Sequence, residues 1–312
     1  HILQDKRFRE GSINFETPEP KFVLDDQGKP VDVVLKERLF AHKLIEECML
    51  MANKTVALHV DSIRSGNKKK AAKNDHPFFY RVHDKPDLEK LYNIRENVKP
   101  LGIEFDLKSG ISASVFNKLL NEVENTSLER IINGLMLRSM AKAEYSPKNI
   151  GHFGLGFSHY SHFTSPIRRY ADVIVHRLLK RYQNGGNEYT YEELTELGEN
   201  CSERERYAVE AERDSVKLKQ VEYLEDKLGE SFDAVISGVT ENGLYAELKN
   251  IHCEGMIRVS DLKDDYYVYN PQRHCLTGRS KGKQFRLGDE IRVKVSNTNL
   301  ERRQIDLVPS NF

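Results

Sequence analysis

The sequence predicts a mixed α+β fold, with a largely helical part over residues 1–228 followed by a small all-β barrel over residues 229–312. Before Gly229, apolar residues recur at three- and four-residue spacing in several stretches, which is the period of helices with one buried face. After Gly229, apolar and polar residues alternate in short runs separated by glycine turns. Such alternation is typical of strands that close into a small barrel.

The composition indicates a soluble globular protein and gives no direct sign of its partner. Hydrophobic residues make up 38% of the 312 residues, and 48 Lys plus Arg balance 48 Asp plus Glu. A local patch or channel would therefore have to attract any nucleic acid. No apolar run is long enough to span a membrane and no stretch resembles a secretory leader, so we expect a cytoplasmic protein without membrane contact.

The cysteine pattern favours a reducing compartment over a disulfide framework. The four cysteines are scattered and form no Cys-x-x-Cys pair. Two of them follow a histidine, at His252-Cys253 and His274-Cys275. Adjacent residues on a strand point to opposite faces, so these pairs are not expected to hold zinc.

The first predicted elements are a hairpin and a long helix. Alternating apolar residues on both sides of the turn at 25–28 predict two short strands. From about Glu37 to His59 the spacing becomes helical. The predicted buried face carries Leu44, Ile45, Cys48, Met51, Ala52 and Thr55, and the opposite face carries His42, Glu46 and Asn53.

The next elements are a buried strand and a series of helices. The strand covers 78–86 and leads into a helix that ends near Val98, and two amphipathic helices are predicted at 113–124 and 127–143. Thr190 with Glu193 predicts a capping box, and Ser202 with Glu205 predicts another before a long charged helix. The apolar seam of that helix is predicted to contain Tyr207, Ala211, Leu218 and Leu224.

The run HFTSPIRRYADVIVHRLL, residues 162–179, carries the strongest functional signal. Ser165 is a predicted N-cap with Pro166 at the first helical position, and this helix would bury Ile167, Tyr170, Ala171, Ile174, Leu178 and Tyr182. Arg168 and Arg169 then fall in the first turn, where the helix dipole disfavours cations unless an anion binds. The alternative is a pair of ordinary surface or ion-paired arginines, with Asp172 as the partner of Arg168.

The segment TSPIRRYADVIVHR resembles the signature of the RNase II/RNase R exoribonucleases, the RNB family. The resemblance implies a nuclease site in which Arg168 contacts the phosphate at the scissile bond and Arg169 supplies a supporting charge. It also implies 3′-to-5′ hydrolysis of single-stranded RNA to nucleoside 5′-monophosphates. The helical part would then be the remainder of an RNB nuclease domain.

The same resemblance identifies further candidate RNA contacts in the helical part. Three residue-based alternatives stay open: a solvated polar face on the helix with Glu46 and Asn53, a structural role for His83, and a core position for Phe153. Glu212 lies in an A-E-R-D run that packs against the nuclease site in the family. The full set is Glu46, Asn53, His83, His152, Phe153, His162, Thr164, Ser165 and Glu212.

In the β-rich part, the order G-V-x-x-x-G-L-Y, E-G-M-I-R-V-S-D-L and L-G-D-x-I-x-V-K-V resembles the S1-type oligonucleotide-binding (OB) fold. OB folds stack bases on aromatic rings and contact phosphates with basic residues. The likeliest RNA face therefore includes Phe232, Tyr245, His252 and Arg258. The family usually has a histidine at the position of Arg258. An arginine there is consistent with a phosphate contact but puts a stacking role in doubt.

The metal ligands that the resemblance implies do not occur in this sequence. Hydrolysis of this kind uses Mg²⁺ held by clustered carboxylates, which the family supplies as a D-x-D-D motif. Only two isolated doublets are present, Asp25-Asp26 and Asp264-Asp265. Since the chain also opens in what resembles the middle of a domain, we expect the C-terminal part of an enzyme whose Mg²⁺ ligands lie outside these residues. The alternatives are a non-catalytic RNA-binding module and, from a third class, a protein-interaction scaffold.

Overall fold

The computed structural model describes residues 1–15, 19–66, 76–107, 110–126, 128–184, 186, 189–249, 251–271 and 273–310. The helical part contains α1 (Ile2–Arg9), β1 (Pro20–Leu24), β2 (Pro30–Leu35), α2 (Phe40–Gly66), β3 (Tyr80–Val82), α3 (Leu88–Val98), α4 (Ala113–Val123), α5 (Glu129–Ser139), β4 (Glu144–Ser146), α6 (Tyr170–Gln183) and α7 (Tyr191–Glu225). Within the described residues, no helix combines the length and apolarity that crossing a bilayer requires.

The β-rich part confirms the predicted barrel and the mixed α+β class. Its strands are β5 (Ser231–Thr240), β6 (Gly243–Leu248), β7 (Cys253–Arg258), β8 (Tyr267–Asn270), β9 (Cys275–Gly278), β10 (Gln284–Arg286), β11 (Glu290–Asn299) and β12 (Gln304–Pro309). Five of them close a barrel in the order β11-β12-β7-β6-β5, with β11 antiparallel to β5. The remaining three, β8 to β10, form a separate antiparallel sheet inserted between β7 and β11.

Buried apolar residues form three clusters that hold these elements together. One fills the barrel and includes the end of α7 through Val221 and Leu224. A second joins α3, α4 and α5, with Phe116 and Met136 at its centre. The third surrounds β3 and α6 and places α6 on a rigid base, because Phe79 and other large side chains there are fully buried.

The predicted hairpin is confirmed as the antiparallel pair β1 and β2. Asp25 shapes its turn, since Oδ1 accepts the main-chain N–H groups of Gln27 and Lys29 at 2.9 and 2.8 Å. Gly28 has a φ of +80° at the same turn.

The predicted orientation of α2 is wrong. Leu44, Ile45 and Met51, expected in the core, are 51%, 59% and 49% exposed, while Asn53, expected on the solvent side, is 2% exposed. Asn53 and Glu47 are buried because each of them bonds to another segment of the chain, through Tyr160 and Arg7 respectively. The same face continues with Ala57 and Val60, which are fully buried in the third cluster. Specific hydrogen bonds therefore act together with apolar contacts to determine which face of this helix is buried.

The helix in the HFTSPIRRYADVIVHRLL run begins later than predicted. Ser165 is not an N-cap; its carbonyl oxygen accepts the N–H groups of Arg168 and Arg169 in a turn, and α6 starts at Tyr170. The turn changes the helical phase, so Ile167 is fully exposed and Tyr170 is half exposed. Ala171, Ile174, Leu178 and Tyr182 are buried as predicted.

Helix α7 confirms one predicted capping box and contradicts the other. Thr190 Oγ1 accepts the N–H of Glu193 at 3.1 Å, and Glu193 Oε2 accepts the N–H of Thr190 at 2.7 Å. Ser202 lies inside the continuous helix, where its hydroxyl donates to Gly198 O at 2.7 Å. The predicted seam is also partly wrong, since Tyr207 and Ala211 are exposed. Several turns in the middle of α7 are exposed on all sides, which is typical of a helix that connects two packed units.

Candidate functional site

Arg168 and Arg169 have different surroundings at the start of α6. Arg169 Nη2 donates to Asp172 Oδ2 at 2.9 Å, and Arg169 Nε lies 2.8 Å from Asp172 Oδ1. Asp172 is fully buried and also accepts the N–H of Ser165 at 2.6 Å. The alternative in which Asp172 is the partner of Arg168 is therefore wrong, since Asp172 pairs with Arg169. Arg168 is exposed and has no ion-pair partner among the described residues.

A cleft of about 400 Å³ opens between α2 and the segment that precedes α6. It brings together Glu46, Asn53 and Arg169, three residues that the sequence singled out separately. Glu46 is ion-paired with Arg38 beside the cleft. The lining residues are Ala41, His42, Ile45, Glu46, Met49, Leu50, Asn53, Tyr160 and Arg169.

Asn53 positions the segment that carries the arginines. Its Nδ2 donates to the Tyr160 hydroxyl at 3.1 Å, and its Oδ1 accepts the N–H of Phe163 at 2.9 Å. From the other side, His176 Nε2 donates to Phe163 O at 2.9 Å, and the two rings stack 4.1 Å apart. The amide of Asn53 is thus already engaged, which gives this residue a positioning role in the structure.

Buried His83 and the half-buried His152 and His162 lie close together behind this segment. His83 Nδ1 accepts the N–H of Gly154 at 3.0 Å, so its Nε2 carries the proton and donates to Ala141 O at 2.8 Å. Burial lowers the pKa of His83, lowers the pKa of His152 to about 3 and lowers the pKa of His162 to about 2. The charges of Arg169 and Arg81 add to the effect on the pKa of His162. All three rings are neutral near pH 7 and serve as packed hydrogen-bonding groups.

The sequence did not single out Tyr145, Tyr160, Arg81 or His176. Tyr145 OH lies 2.8 Å from His162 Nδ1, and the guanidinium of Arg81 lies 4.6 Å from the centroid of the Tyr145 ring. Arg81 is also ion-paired with Glu205 of α7 at 2.6 Å. The sequence offers one weak signal for Arg81, which is its position two residues before His83 in the same predicted strand.

Two further predicted RNA contacts in this region, Phe153 and Thr164, have different surroundings. The ring of Phe153 packs edge-on against Phe116 at 5.8 Å, which favours the core alternative. Thr164 Oγ1 is buried and has no hydrogen-bond partner among the described residues. A buried hydroxyl without a partner is costly unless a ligand or water bonds to it. Glu212 stands apart from this group, on the exposed middle of α7.

On the barrel, the structure places two of the four predicted RNA contacts on one outward face. Tyr245 pairs with Met256 across β6 and β7, and Arg258 lies two residues further along β7 on the same side. Arg258 Nη2 is 3.6 Å from Asp306 Oδ2 and its side chain is 61% exposed. Phe232 instead packs against the barrel core.

His252, the fourth predicted contact on the barrel, faces the helical part. Its Nδ1 is 3.1 Å from Glu247 Oε1, and Glu247 is also ion-paired with Arg130 of α5. His252 has a φ of +53°, in the left-handed region.

No group of three or more His, Cys, Asp or Glu side chains that could hold a metal ion occurs in the described ranges. Asp25 is used in the hairpin turn described above. Asp265 accepts main-chain N–H groups from Lys281, Ser280 and Tyr266, which lower its pKa to about 2. The described residues therefore do not fit a metal centre.

The chain matches two protein-family models. The RNB domain family matches residues 1–185, and the S1 RNA binding domain family matches residues 225–308. Ribonuclease R of Aquifex aeolicus (strain VF5) is 40% identical over 309 residues, and that of Thermotoga maritima is 41% identical over 315 residues. Each alignment covers 98% of this chain but only 42% and 43% of the relative, so the chain spans less than half the length of these curated relatives.

Solved structures show the same likeness. RNase R of Mycoplasma genitalium in complex with ribose-methylated single-stranded RNA superimposes with a TM-score of 0.86 at 27% identity. This match covers 99% of the present chain and 48% of the other. The same enzyme in complex with double-stranded RNA gives a TM-score of 0.77 at 25% identity.

Proposed function

The chain belongs to the RNB domain family, and from this premise we propose that the whole protein is a 3′-to-5′ exoribonuclease that hydrolyses RNA to nucleoside 5′-monophosphates. The observation that carries the proposal is that the two arginines have different environments. Asp172 immobilises Arg169 at the cleft, whereas Arg168 is exposed and unpaired within the described part of the chain. An exposed guanidinium on a rigid turn is available to a phosphate.

In this proposal Arg168 contacts the phosphate at the scissile bond. Its charge stabilises the negative charge that develops on the phosphate during hydrolysis, and Arg169 supports it from the cleft wall. Asn53, Asp172 and His176 hold the turn in place, so that the guanidinium needs little reorganisation. Thr164 and Ser165 on the same turn and Glu46 on the cleft wall complete the proposed RNA contacts. His83, His152, His162 and Phe153, which the resemblance also implicates, are engaged within the protein and support this surface from behind.

A divalent cation, with Mg²⁺ as our specific proposal, is the cofactor that this class of hydrolysis uses. The described residues do not form its site, so no catalytic step is assigned to the metal here. The test is the effect of a chelator on RNA hydrolysis by the whole protein, followed by addition of Mg²⁺.

The proposed substrate is single-stranded RNA. The similarity to an RNase R that binds such RNA supports this choice, as does the match to an S1 RNA binding domain. We place the division between the nuclease part and this RNA-binding barrel at residues 228 and 229. Tyr245, Arg258, Phe232, His252 and Glu212 are the proposed contacts outside the cleft. The free cysteines favour the cytoplasm as the compartment.

The proposal is tested with a 5′-labelled single-stranded RNA, the whole protein and Mg²⁺. We expect a ladder that shortens one nucleotide at a time from the 3′ end, with nucleoside 5′-monophosphates as products. Internal fragments would contradict the direction of attack. RNA that is bound but never shortened would contradict the enzymatic activity and leave an RNA-binding module.

A further inference from the structure

A second cleft lies where the helical part meets the barrel. Its volume is about 200 Å³. Leu101 and Leu135 line it from the helical side. Gly238, Arg273, His274 and Arg286 line it from the barrel side. None of the residues that line it is acidic.

Within the part of the chain that the structure describes, neither arginine of this cleft forms an ion pair with a carboxylate. Arg273 has no side-chain hydrogen bond or ion pair among the described residues. Among the described residues, the Arg286 guanidinium donates to the uncharged amide oxygen of Gln284 alone. Asp289, the nearby carboxylate, accepts the main-chain N–H of Arg286 at 2.7 Å instead. Two guanidinium groups whose charges are not balanced by a described carboxylate attract an anion to a concave surface, because the low-dielectric walls focus their field.

His274 adds a third basic side chain in an uncommon backbone conformation. Its φ is +45°, in a region that residues other than glycine seldom adopt. Its Nδ1 lies 3.3 Å from the Tyr269 hydroxyl, which fixes the direction of the ring. Strained residues of this kind concentrate at ligand-binding sites.

Strand β5 connects the cleft to Tyr245 on the neighbouring strand β6. Gly238 lines the cleft, and a Cβ atom at Gly238 would lie 3.4 Å from Cδ2 of Tyr245. The Tyr245 ring therefore packs directly over the strand that forms the cleft wall. A base stacked on Tyr245 would therefore lie on the same strand pair that forms this wall of the cleft.

We propose that this junction cleft binds a phosphate group of a nucleotide, with Arg273 and Arg286 as its ligands, His274 as a further donor and Tyr245 as the platform for the base. The inference rests on the proposed function for the nature of the ligand, RNA or its mononucleotide product. It assigns a binding site that is separate from the turn with Arg168.

The test compares two double variants of the 312-residue protein in RNA binding. Arg273→Ala/Arg286→Ala removes the proposed ligands. Arg292→Ala/Lys294→Ala removes two exposed charges from β11 of the same barrel, neither of which is among the residues that line the cleft. Fluorescence anisotropy of a labelled single-stranded RNA gives the affinity as a function of KCl concentration, and urea unfolding confirms that both variants fold.

We expect the cleft variant to bind RNA about 10-fold more weakly at about 100 mM KCl, and its slope of log affinity against log salt to fall by about 0.7, the value for one phosphate on a single strand. The control variant should stay within about threefold of wild type. Equal affinities and slopes for the two variants would overturn the proposal.

Competition then distinguishes the two sources of the phosphate. A nucleoside 5′-monophosphate that displaces RNA from wild type but not from the cleft variant supports binding of the terminal phosphate. Loss of RNA affinity without such competition supports binding of an internal phosphate.

Failure of this binding site can also be distinguished from failure of the proposed function. Stepwise hydrolysis by the whole protein, together with unchanged RNA binding by the 312-residue cleft variant, would refute this site alone. Absence of hydrolysis by the whole protein, together with weakened binding by the cleft variant, would refute the exoribonuclease proposal and leave the site standing.

Discussion

At the scale of single residues, Asp172 connects the candidate site to the core. Its carboxylate is fully buried and accepts hydrogen bonds from Arg169 and from the main chain of Ser165. A buried carboxylate of this kind needs every one of these partners, because desolvation is costly. The residue therefore fixes both the fold of the turn and the direction of its two arginines.

Replacing Asp172 should destabilise the protein strongly. Asp172→Ala leaves the half-buried charge of Arg169 without its partner, so we expect the free energy of unfolding to fall by about 3 kcal/mol. Urea unfolding at pH 7 measures the change. Glu210→Ala, on the exposed middle of α7, is the control and should stay within about 0.5 kcal/mol of wild type. Equal effects of the two substitutions would show that Asp172 does not have this role.

The buried histidines predict a loss of stability in acid. Their folded-state pKa values are depressed, to about 3 for His152 and about 2 for His162, so the unfolded chain takes up protons below about pH 6.5 that the folded chain does not. The free energy of unfolding should therefore keep its full value above pH 6.5 and should fall as the pH decreases toward 3. Between pH 7 and pH 5, protonation of each of these histidines in the unfolded chain should lower the free energy of unfolding by about 2 kcal/mol.

The urea midpoint measured across this range tests the assignment. His162→Gln removes one titrating group, so its stability should decline less steeply with acid than that of wild type, whatever its stability at pH 7. Parallel pH profiles for wild type and His162→Gln would mean that His162 does not contribute to the acid sensitivity.

At the scale of elements, the sequence predicts the class and the order of most helices and strands but not which face of α2 is buried. Periodicity locates the barrel and the α4–α5 pair because their burial follows apolar patterning. The hairpin is located by its turn residues, although Val23, Val31 and other apolar side chains on its strands are exposed. Helix α2 departs from the pattern because Asn53 binds Tyr160 and Phe163, which are more than 100 residues away in the chain. A hydrogen bond between distant segments leaves no periodic signal in the sequence.

The turn before α6 shows the same limit within one short segment. Ser165 and Pro166 satisfy the local rules for a helix start, yet the buried carboxylate of Asp172 binds the N–H of Ser165 and favours a turn. The sequence identified Arg168 and Arg169 as a pair. Only the structure separates an exposed Arg168 from an Arg169 that is held by Asp172.

Helix α7 approaches β4 closely at Gly198. A Cβ atom at this position would lie 2.4 Å from the carbonyl oxygen of Tyr145, closer than any real contact. Gly198→Ala should therefore force the helix away from the strand and lower the free energy of unfolding by about 2 kcal/mol. The thermal or urea midpoint reports the change.

The matched control for Gly198→Ala is Gly134→Ala in α5. There a Cβ atom would meet only the end of the Arg138 side chain, at 4.0 Å. Since alanine favours the helix over glycine, this control should stabilise the protein by about 0.5 to 1 kcal/mol. A Gly198→Ala variant as stable as wild type would contradict the packing described for α7.

At the scale of the whole molecule, the barrel is held against the helical part by charged contacts around Glu247. Burial alone would raise the pKa of Glu247, but the hydrogen bond from His252 and the charge of Arg130 lower it below the ordinary value. The carboxylate is therefore ionised and bound to both parts of the protein near neutral pH. Arg130 belongs to α5, and Glu247 and His252 belong to the barrel.

A double-mutant cycle tests this connection. Arg130→Ala, Glu247→Ala and the double variant should give a coupling energy of about 1 kcal/mol in the free energy of unfolding, because the pair is partly shielded from solvent. Limited proteolysis should also cut the single variants faster than wild type between α5 and the barrel. A coupling energy of zero would contradict a direct contribution of this pair to the docking of the barrel.

The central claim for the whole molecule is that Arg168 acts on the phosphate during RNA hydrolysis. Single-turnover decay of a 3′-tailed RNA by the whole protein with Mg²⁺ tests it most directly. The control is Lys180→Ala, an exposed cation near the other end of the same helix. Arg168→Ala should raise the barrier by on the order of 3 kcal/mol, a rate loss of at least about 100-fold, while Lys180→Ala should keep the wild-type rate. An Arg168→Ala variant that degrades RNA at the wild-type rate would contradict the claim.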